Sequence, residues 1–379
     1  MHLDTALIHA GMTTDSRTGA VNTPIYQTST FKQQALGENS GYEYSRTKNP
    51  TRDGIESLIA ELENGKYGFA FSSGMAAIST ALALFRSGES ILISQNVYGG
   101  TFRVLDKVFS QFNISYKIVD TNNLNELENA MDKQVKGILI ETPANPLMGV
   151  SDIEQIANFA KKKGLISIVD NTFMTPYLQR PLEFGIDIVL HSATKYLGGH
   201  SDLIAGLIVV NEEQLATKIA FLQNSIGAIL SPFESFLLIR GLKTLGLRMQ
   251  RHSENAFELA SYLQNHQDVE KVFYPLFGEN ASVHKKQASM GGGMLSFILK
   301  KGCDYKKFVK SCKLIALAES LGGVESLLCH PASMTHASIP KELREKLGIT
   351  ENLIRLSVGI ENYDDLIKDI EQALKSSKA

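Results

Sequence analysis

Short, mostly apolar runs recur through the first half of the chain, and they constrain its fold more than any other feature. Tyr67–Phe71, Ser90–Ser94, Tyr116–Val119, Gly137–Glu141, Leu165–Val169 and Ile186–Leu190 each suit one strand and are too short for an ordinary helix. Strands apolar on both faces must be covered on both faces, the condition of a parallel sheet packed between helices. The stretches between them supply those helices. Ile55, Leu58, Ile59 and Leu62 fall at helical spacing, with Asn49 or Thr51 as cap and Gly65 as stop. The segment Met75–Leu84 is Ala-rich, and another helix is expected near Thr101–Phe112. A further helix begins near Asp152 behind a capping box, Ser151 with Glu154, and ends at Gly164. Such alternation predicts an α/β fold with a mostly parallel central sheet.

The texture changes near residue 233. Pro232 to Asn265 reads as one long helical stretch, and Met294–Leu299 alternates like a half-buried strand after a turn at Gly291–Gly293. A smaller C-terminal α+β domain over 234–379 is therefore expected beside a large domain over 47–233. Residues 1–46 are polar and turn-rich, so they either fray or dock elsewhere, a second copy of the chain being one candidate. With 379 residues, 43% of them hydrophobic and 21% charged, the chain can bury a large core in two domains. A net charge of -2 gives no reason to expect nucleic acid or a membrane surface as partner. Cys303, Cys312 and Cys329 form no CxxC pair and read as reduced thiols. The sequence shows no secretion signal and no run long enough to span a bilayer, so a cytoplasmic location is expected. Without an HExxH motif or a Cys/His cluster, no metal site is expected, and His191, His200 and His336 read as structural.

Lys195, in Ser192-Ala193-Thr194-Lys195, follows one buried run, and Asp170 ends another. A lysine amine that forms a Schiff base and an acid that keeps a pyridine nitrogen protonated are what pyridoxal 5'-phosphate requires. Taken singly, each has an ordinary reading: Lys195 as a loop lysine, Asp170 as a cap on the next turn. Gly198-Gly199 and the hydroxyls of Ser192 and Thr194 would let backbone and side chains approach a phosphate. Ser73-Gly74-Met75 lies at a strand-to-helix turn, where free amides and the helix dipole favour an anion. No GxGxxG or GxxxxGK[ST] pattern occurs, against dinucleotide and P-loop sites. Tyr98 could stack on a flat ring and move protons, or simply pack at the surface. Arg355, inside a strand-like run, needs a partner, and a carboxylate is the natural one.

Placed in order, these pieces resemble the Cys/Met-metabolism family of pyridoxal-phosphate enzymes, of fold type I, the PLP-dependent transferase-like fold. The motifs stand as Tyr42-Glu43-Tyr44-Ser45-Arg46, Ser73-Gly74-Met75, Tyr98-Gly99-Gly100-Thr101, Glu141-Thr142-Pro143-Ala144-Asn145-Pro146, Asp170-Asn171-Thr172 and Ser192-Ala193-Thr194-Lys195. The resemblance implies that Lys195 carries the cofactor and moves protons between carbons, and that Asp170 pairs with the ring nitrogen. It implies that Gly74, Met75, Ser192 and Thr194 hold the phosphate, joined by Tyr44 and Arg46 from a neighbouring subunit. Tyr98 would stack on the ring and pass a proton to the leaving sulfur. Asn145, Ser320 and Arg355 would bind the substrate carboxylate, with Glu319 and Arg103 further along the pocket, beside Glu141. A homotetramer of two active dimers, with the N-terminal arm at the subunit contact, is implied as well.

Within that family, Ala318-Glu319-Ser320-Leu321-Gly322-Gly323 resembles the pattern of the γ-lyases and γ-synthases. The implied activity is cleavage of L-cystathionine, mainly by γ-elimination to cysteine, 2-oxobutanoate and ammonia. β-Elimination to homocysteine and pyruvate is a possible companion. The alternatives are a cystathionine γ-synthase, a β-lyase, or a non-catalytic cofactor-binding protein on the same fold.

Overall fold

The computed structural model describes residues 1–11, 15–95, 97–337 and 341–378. Seven strands form the larger sheet: β1 (Tyr67–Phe71), β2 (Ser90–Ser94), β3 (Ser115–Val119), β4 (Val135–Glu141), β5 (Ile166–Asp170), β6 (Ile188–Ser192) and β7 (Gly206–Val210), in the order β1-β7-β6-β5-β4-β2-β3. From β3 to β6 every neighbouring pair is parallel. β7, which the six apolar runs did not include, lies antiparallel between β6 and β1. Its five residues are all buried, and a connection from β6 without a crossover helix allows only a reversed strand. The sheet is thus mixed, with a parallel centre.

Helices α1 (Leu3–His9), α2 (Pro50–Leu62), α3 (Gly74–Leu82), α4 (Gly99–Lys107), α5 (Leu124–Ala130) and α6 (Ile153–Lys163) belong to this half. Alternation along the strands divides the core. Ile138, Ile140, Val169, Val189 and Val209 face the helices α2 and α6, while Leu139, Ile168, Ile188, Leu190 and Ile208 face α3. α2 begins on Asn49, whose side chain accepts from Thr51 N, and α6 ends on Gly164 in the left-handed region. α6 departs from the expected capping box: Asp152 accepts from Gln155 N at 2.9 Å, whereas Ser151 Oγ pairs with Thr121 Oγ1 at 2.6 Å. Ser151 is buried, so its hydroxyl serves an interior bond and the next residue caps.

The second sheet comprises β8 (Val269–Phe273), β9 (Met294–Leu299), β10 (Ala316–Leu317), β11 (Leu327–Cys329) and β12 (Leu353–Ser357), ordered β10-β11-β12-β9-β8. Leu295, Phe297, Ile354 and Leu356 pack with the helices Leu245–Gln264 and Tyr363–Ser377. β9 is buried on both faces rather than half-buried. Its other face meets the first core through Met294, and Ser296 Oγ donates to Pro146 O at 2.6 Å. The expected long helix is two, Pro232–Leu242 and Leu245–Gln264. They part because the Gly241 carbonyl is taken by the Arg248 guanidinium at 2.8 Å and by Thr244 N at 3.2 Å.

In the N-terminal stretch α1 buries Ala6 and Leu7 against the first core, a helix the polar composition did not announce. Beyond it Val21, Leu36 and Tyr44 remain exposed. Among the described residues, no helix is long and apolar enough to cross a membrane. Replacing the observed cap, Asp152→Ala, is expected to cost about 1 kcal/mol. A lowered urea midpoint at unchanged slope would register it; an unchanged midpoint would contradict the capping role.

Candidate active site

Three parallel strands end side by side, and their last residues define the site. Glu141 of β4 is paired in register with Asp170 of β5, and Asp170 with Leu190 of β6. Ligands bind off such carboxyl ends because the connecting loops diverge there. The loops after β4, β5 and β6 bring Asn145, Thr172, Ser192, Thr194 and Lys195 around a cavity of about 250 Å³. α3 closes one side. Ser73 caps it by accepting from Ala76 N at 3.0 Å, which leaves amides of the first turn without helical acceptors. A Cβ on Gly74 would lie 2.8 Å from Ser192 Cβ, so only glycine lets α3 come this close to the end of β6.

Lys195 Nζ reaches the cavity and donates to Ser320 Oγ at 2.6 Å. Burial, with the Arg355 guanidinium adding to it against Glu319, pulls its amine down to about 8. Asp170 Oδ1 accepts from Thr172 N at 3.0 Å and from Thr172 Oγ1 at 2.5 Å. Burial pushes the Asp170 carboxyl upward, while the two Thr172 bonds and His191 favour its charged form. The Glu141 carboxyl is pushed up by burial and by the neighbouring Asp170 charge. Its oxygens accept from Tyr98 N at 2.8 Å and Asn145 N at 3.3 Å, so one side chain ties two site loops together.

The second sheet delivers the cationic wall. Arg355 of β12 is only 3% exposed, and it donates to Asn145 Oδ1 at 2.9 Å and Ser320 O at 3.0 Å. Its Nε has no acceptor among the described residues. Ser320 holds φ at 83°, a left-handed conformation that costs a non-glycine residue strain. That strained backbone presents its hydroxyl to Lys195 and its carbonyl to Arg355. Glu319 lines the same cavity beside it. Tyr98, 43% exposed, precedes α4 and lines the cavity with Met75. A Cβ on Gly100 would lie 2.4 Å from the Tyr98 ring and 2.8 Å from Met75 Sδ, so the bare glycine seats the ring.

Three sequence-derived candidates are not in this cavity. Arg103, one turn beyond Gly99 on α4, is exposed and does not line the cavity. Tyr44 and Arg46 are exposed, and Arg46 Nη1 donates to Asn224 Oδ1 at 3.0 Å. Beneath the floor lies a polar network that the motifs did not single out. His191 Nε2 meets Glu63 Oε1 at 2.6 Å with both side chains fully buried, Asn171 Nδ2 donates to the same oxygen, and Gln179 Nε2 bonds to Asn171 Oδ1 and Thr142 O. Neighbours of Asp170, Ser192 and Glu141 are thereby locked to one another. His191 was readable only as one histidine inside an apolar run.

The sequence profile of the Cys/Met metabolism PLP-dependent enzyme family matches residues 4–375, and the chain belongs to that family. Full-length relatives include a cystathionine beta-lyase of Lactococcus lactis, 54% identical over 98% of this chain and 99% of the relative. A cystathionine gamma-lyase of Bacillus subtilis is 51% identical over 99% of this chain and 100% of its own. The crystal structure of cystathionine gamma-lyase from Lactobacillus plantarum complexed with L-serine superposes with a TM-score of 0.97. It is 50% identical and covers 100% of this chain and 99% of that one.

The family cofactor, pyridoxal phosphate, fits what the residues offer. A buried amine, a buried carboxylate on the adjacent strand end, and a glycine-lined helix start beside two hydroxyl residues match its aldehyde, ring nitrogen and phosphate. In cofactor-free protein, labelling of Lys195 by an amine-specific reagent should rise with pH around a midpoint near 8. A midpoint near that of exposed lysines, about 10.4, would refute the buried environment.

Proposed function

We propose that the protein is a pyridoxal-phosphate-dependent carbon–sulfur lyase acting on L-cystathionine, mainly by γ-elimination. The convergence of Lys195, Asp170 and the Arg355–Asn145 pair on one cavity carries the proposal. Full-length relatives that are cystathionine lyases support the substrate. With one water consumed, the γ products are cysteine, 2-oxobutanoate and ammonia; the β route gives homocysteine, pyruvate and ammonia.

When bound, the cofactor supplies an electron sink for negative charge at the substrate carbons. The chain supplies the rest. Asp170, whose charged form the two bonds from Thr172 favour, would hold a proton on the ring nitrogen. Gly74, Met75, Ser192 and Thr194 would hold the phosphate. Arg355, with Asn145 and Ser320 beside it, takes the substrate α-carboxylate, and its bonds to those two residues fix the guanidinium. Lys195, with an amine near 8, is suited to take the Cα proton and carry it between carbons. For γ-elimination a second proton leaves Cβ before sulfur departs from Cγ. Tyr98, over the cavity, gives a proton to the leaving sulfur. Glu319 and the more distant Arg103 would meet the distal half of the substrate.

Tyr44 and Arg46, exposed and outside their own chain's cavity, fit a role at the phosphate of a neighbouring subunit. We therefore assign residues 1–46 to a subunit-contacting arm, 47–233 to the PLP-binding domain and 234–379 to the C-terminal domain. The working assembly is a cytoplasmic homotetramer of two active dimers. The β-lyase reading rests on relatives of that name at similar identity, and γ-synthase remains the alternative for the cellular direction.

The keto acid formed from cystathionine decides between the bonds. 2-Oxobutanoate in excess is expected; pyruvate alone would assign β-lyase, and an inert cystathionine with rapid use of an O-acylhomoserine plus cysteine would assign the synthase. Lys195→Ala should abolish the borohydride-reducible Schiff-base absorption and lower turnover about a thousandfold or more; normal turnover would end the scheme. Arg46→Ala should release cofactor faster on dialysis, and unchanged retention would refute its placement across the interface.

A further inference from the structure

Behind the turn that carries Lys195 lies a second buried cation, which neither the family motifs nor the proposed mechanism uses. Arg248, on the helix Leu245–Gln264, is 3% exposed. Its Nη1 donates to Tyr196 O at 2.6 Å, its Nη2 to Gly241 O at 2.8 Å and Leu197 O at 3.4 Å, and its Nε to Thr244 Oγ1 at 3.1 Å. No carboxylate joins these partners. A buried charge without a counter-ion is costly, and here it is offset by the Thr244 hydroxyl and by carbonyl dipoles. One of these, Gly241 O, belongs to the C-terminal turn of the helix Pro232–Leu242, where the dipole favours a cation. The other two belong to the residues that directly follow Lys195.

The turn is shaped to receive the guanidinium. Gly199 holds φ at 76°, and a Cβ there would lie 2.2 Å from Arg248 Nη1. From the other side the turn meets the segment that contains the lysine's partner. A Cβ on Gly322 would lie 2.6 Å from Tyr196 N, and Val324 N donates to Gly199 O at 2.9 Å. Gly322 N in turn donates to Ser357 Oγ at 2.8 Å. The Lys195–Gly199 turn is therefore gripped between Arg248 and the Ser320–Val324 segment. A planar fork that binds two successive carbonyls fixes the tilt of both peptide planes, which a single donor cannot do. Those planes, Tyr196–Leu197 and Leu197–Gly198, begin one residue beyond Lys195, so holding them anchors the C-terminal side of the turn that carries the lysine.

We infer that Arg248 is a positioning residue for Lys195: its guanidinium fork holds the turn from which the amine reaches the cavity. The inference rests on Lys195 being the lysine that bears the cofactor. That lysine must leave one bonding position, carry a proton at substrate carbons, and return. A turn free to rotate would lower the fraction of time the amine is in reach, a loss in the chemical step rather than in substrate binding. Lysine at position 248 keeps the charge but lacks the fork, so it separates the two contributions.

The test compares R248K, R248M and T244V with K195A and wild type. It follows near-ultraviolet circular dichroism, the pH titration of the Schiff-base absorption, cofactor loss on dialysis, and kcat and KM. Folded R248M and R248K should both lose about ten- to a hundredfold in kcat at little changed KM. Both should also shift the Schiff-base titration midpoint and shed cofactor faster. T244V, which removes the Nε acceptor and the Thr244 Oγ1–Gly241 O bond but leaves the fork on Tyr196 and Leu197, should stay close to wild type in all of these. Folded R248K with wild-type titration, retention and kcat would overturn the inference, even if R248M fails to fold. A variant that only melts earlier, with titration and kcat intact, would overturn it too. If K195A keeps the Schiff-base absorption, the assignment of Lys195 falls instead, and Arg248 loses its object.

Discussion

Register between neighbouring parallel strands is the constraint on which the site depends. Because β4, β5 and β6 run the same way, with Glu141 level with Asp170 and Asp170 level with Leu190, two residues before Ser192, the three strand ends arrive at one edge. A one-residue slip of β5 would turn Asp170 toward the opposite face and carry Ile168 and Val169 into the wrong cores. The alternation of Ile168 and Val169 between the two hydrophobic layers thus fixes the aspartate as firmly as any contact it makes. The buried His191–Glu63–Asn171–Gln179 network adds a polar lock beneath the same edge.

The other half of the site comes from the second sheet. Arg355 reaches the cavity from β12 and is paired in register with Cys329 and Ser296, residues buried in the interior. Ser296 is itself bonded to Pro146, next to Asn145, so the arginine and its asparagine partner are held by the same contact between the two halves. Amine and guanidinium thus meet at a seam, each carried by a core of its own.

Much of this was legible in the chain, and the omissions have physical reasons. The first six strands were visible because apolar runs of that length have few alternatives. β7 is as apolar as the others, but it follows β6 through a glycine-rich turn with no intervening helix, so the strand–helix alternation does not announce it. The capping box at Ser151 and Glu154 failed because a hydroxyl can serve either a helix amide or a buried partner, and only the tertiary environment selects Thr121. The break at Lys243–Thr244 was invisible because it depends on a guanidinium arriving from the following turn. The cavity gathered Lys195, Asp170, Tyr98, Asn145, Ser320, Glu319 and Arg355, whose spacing spans most of the chain. It did not gather Tyr44, Arg46 or Arg103, whose surroundings a single chain leaves to solvent.

Ser320 has a mechanical consequence. One strained residue gives its hydroxyl to the lysine and its carbonyl to the arginine, so the two ends of the site share a single pivot. A carboxylate that draws the guanidinium toward itself tugs on that carbonyl, and rotation of the peptide changes what the hydroxyl offers the amine. A ligand arriving at one end would in this way be felt at the other, through a lever one residue long.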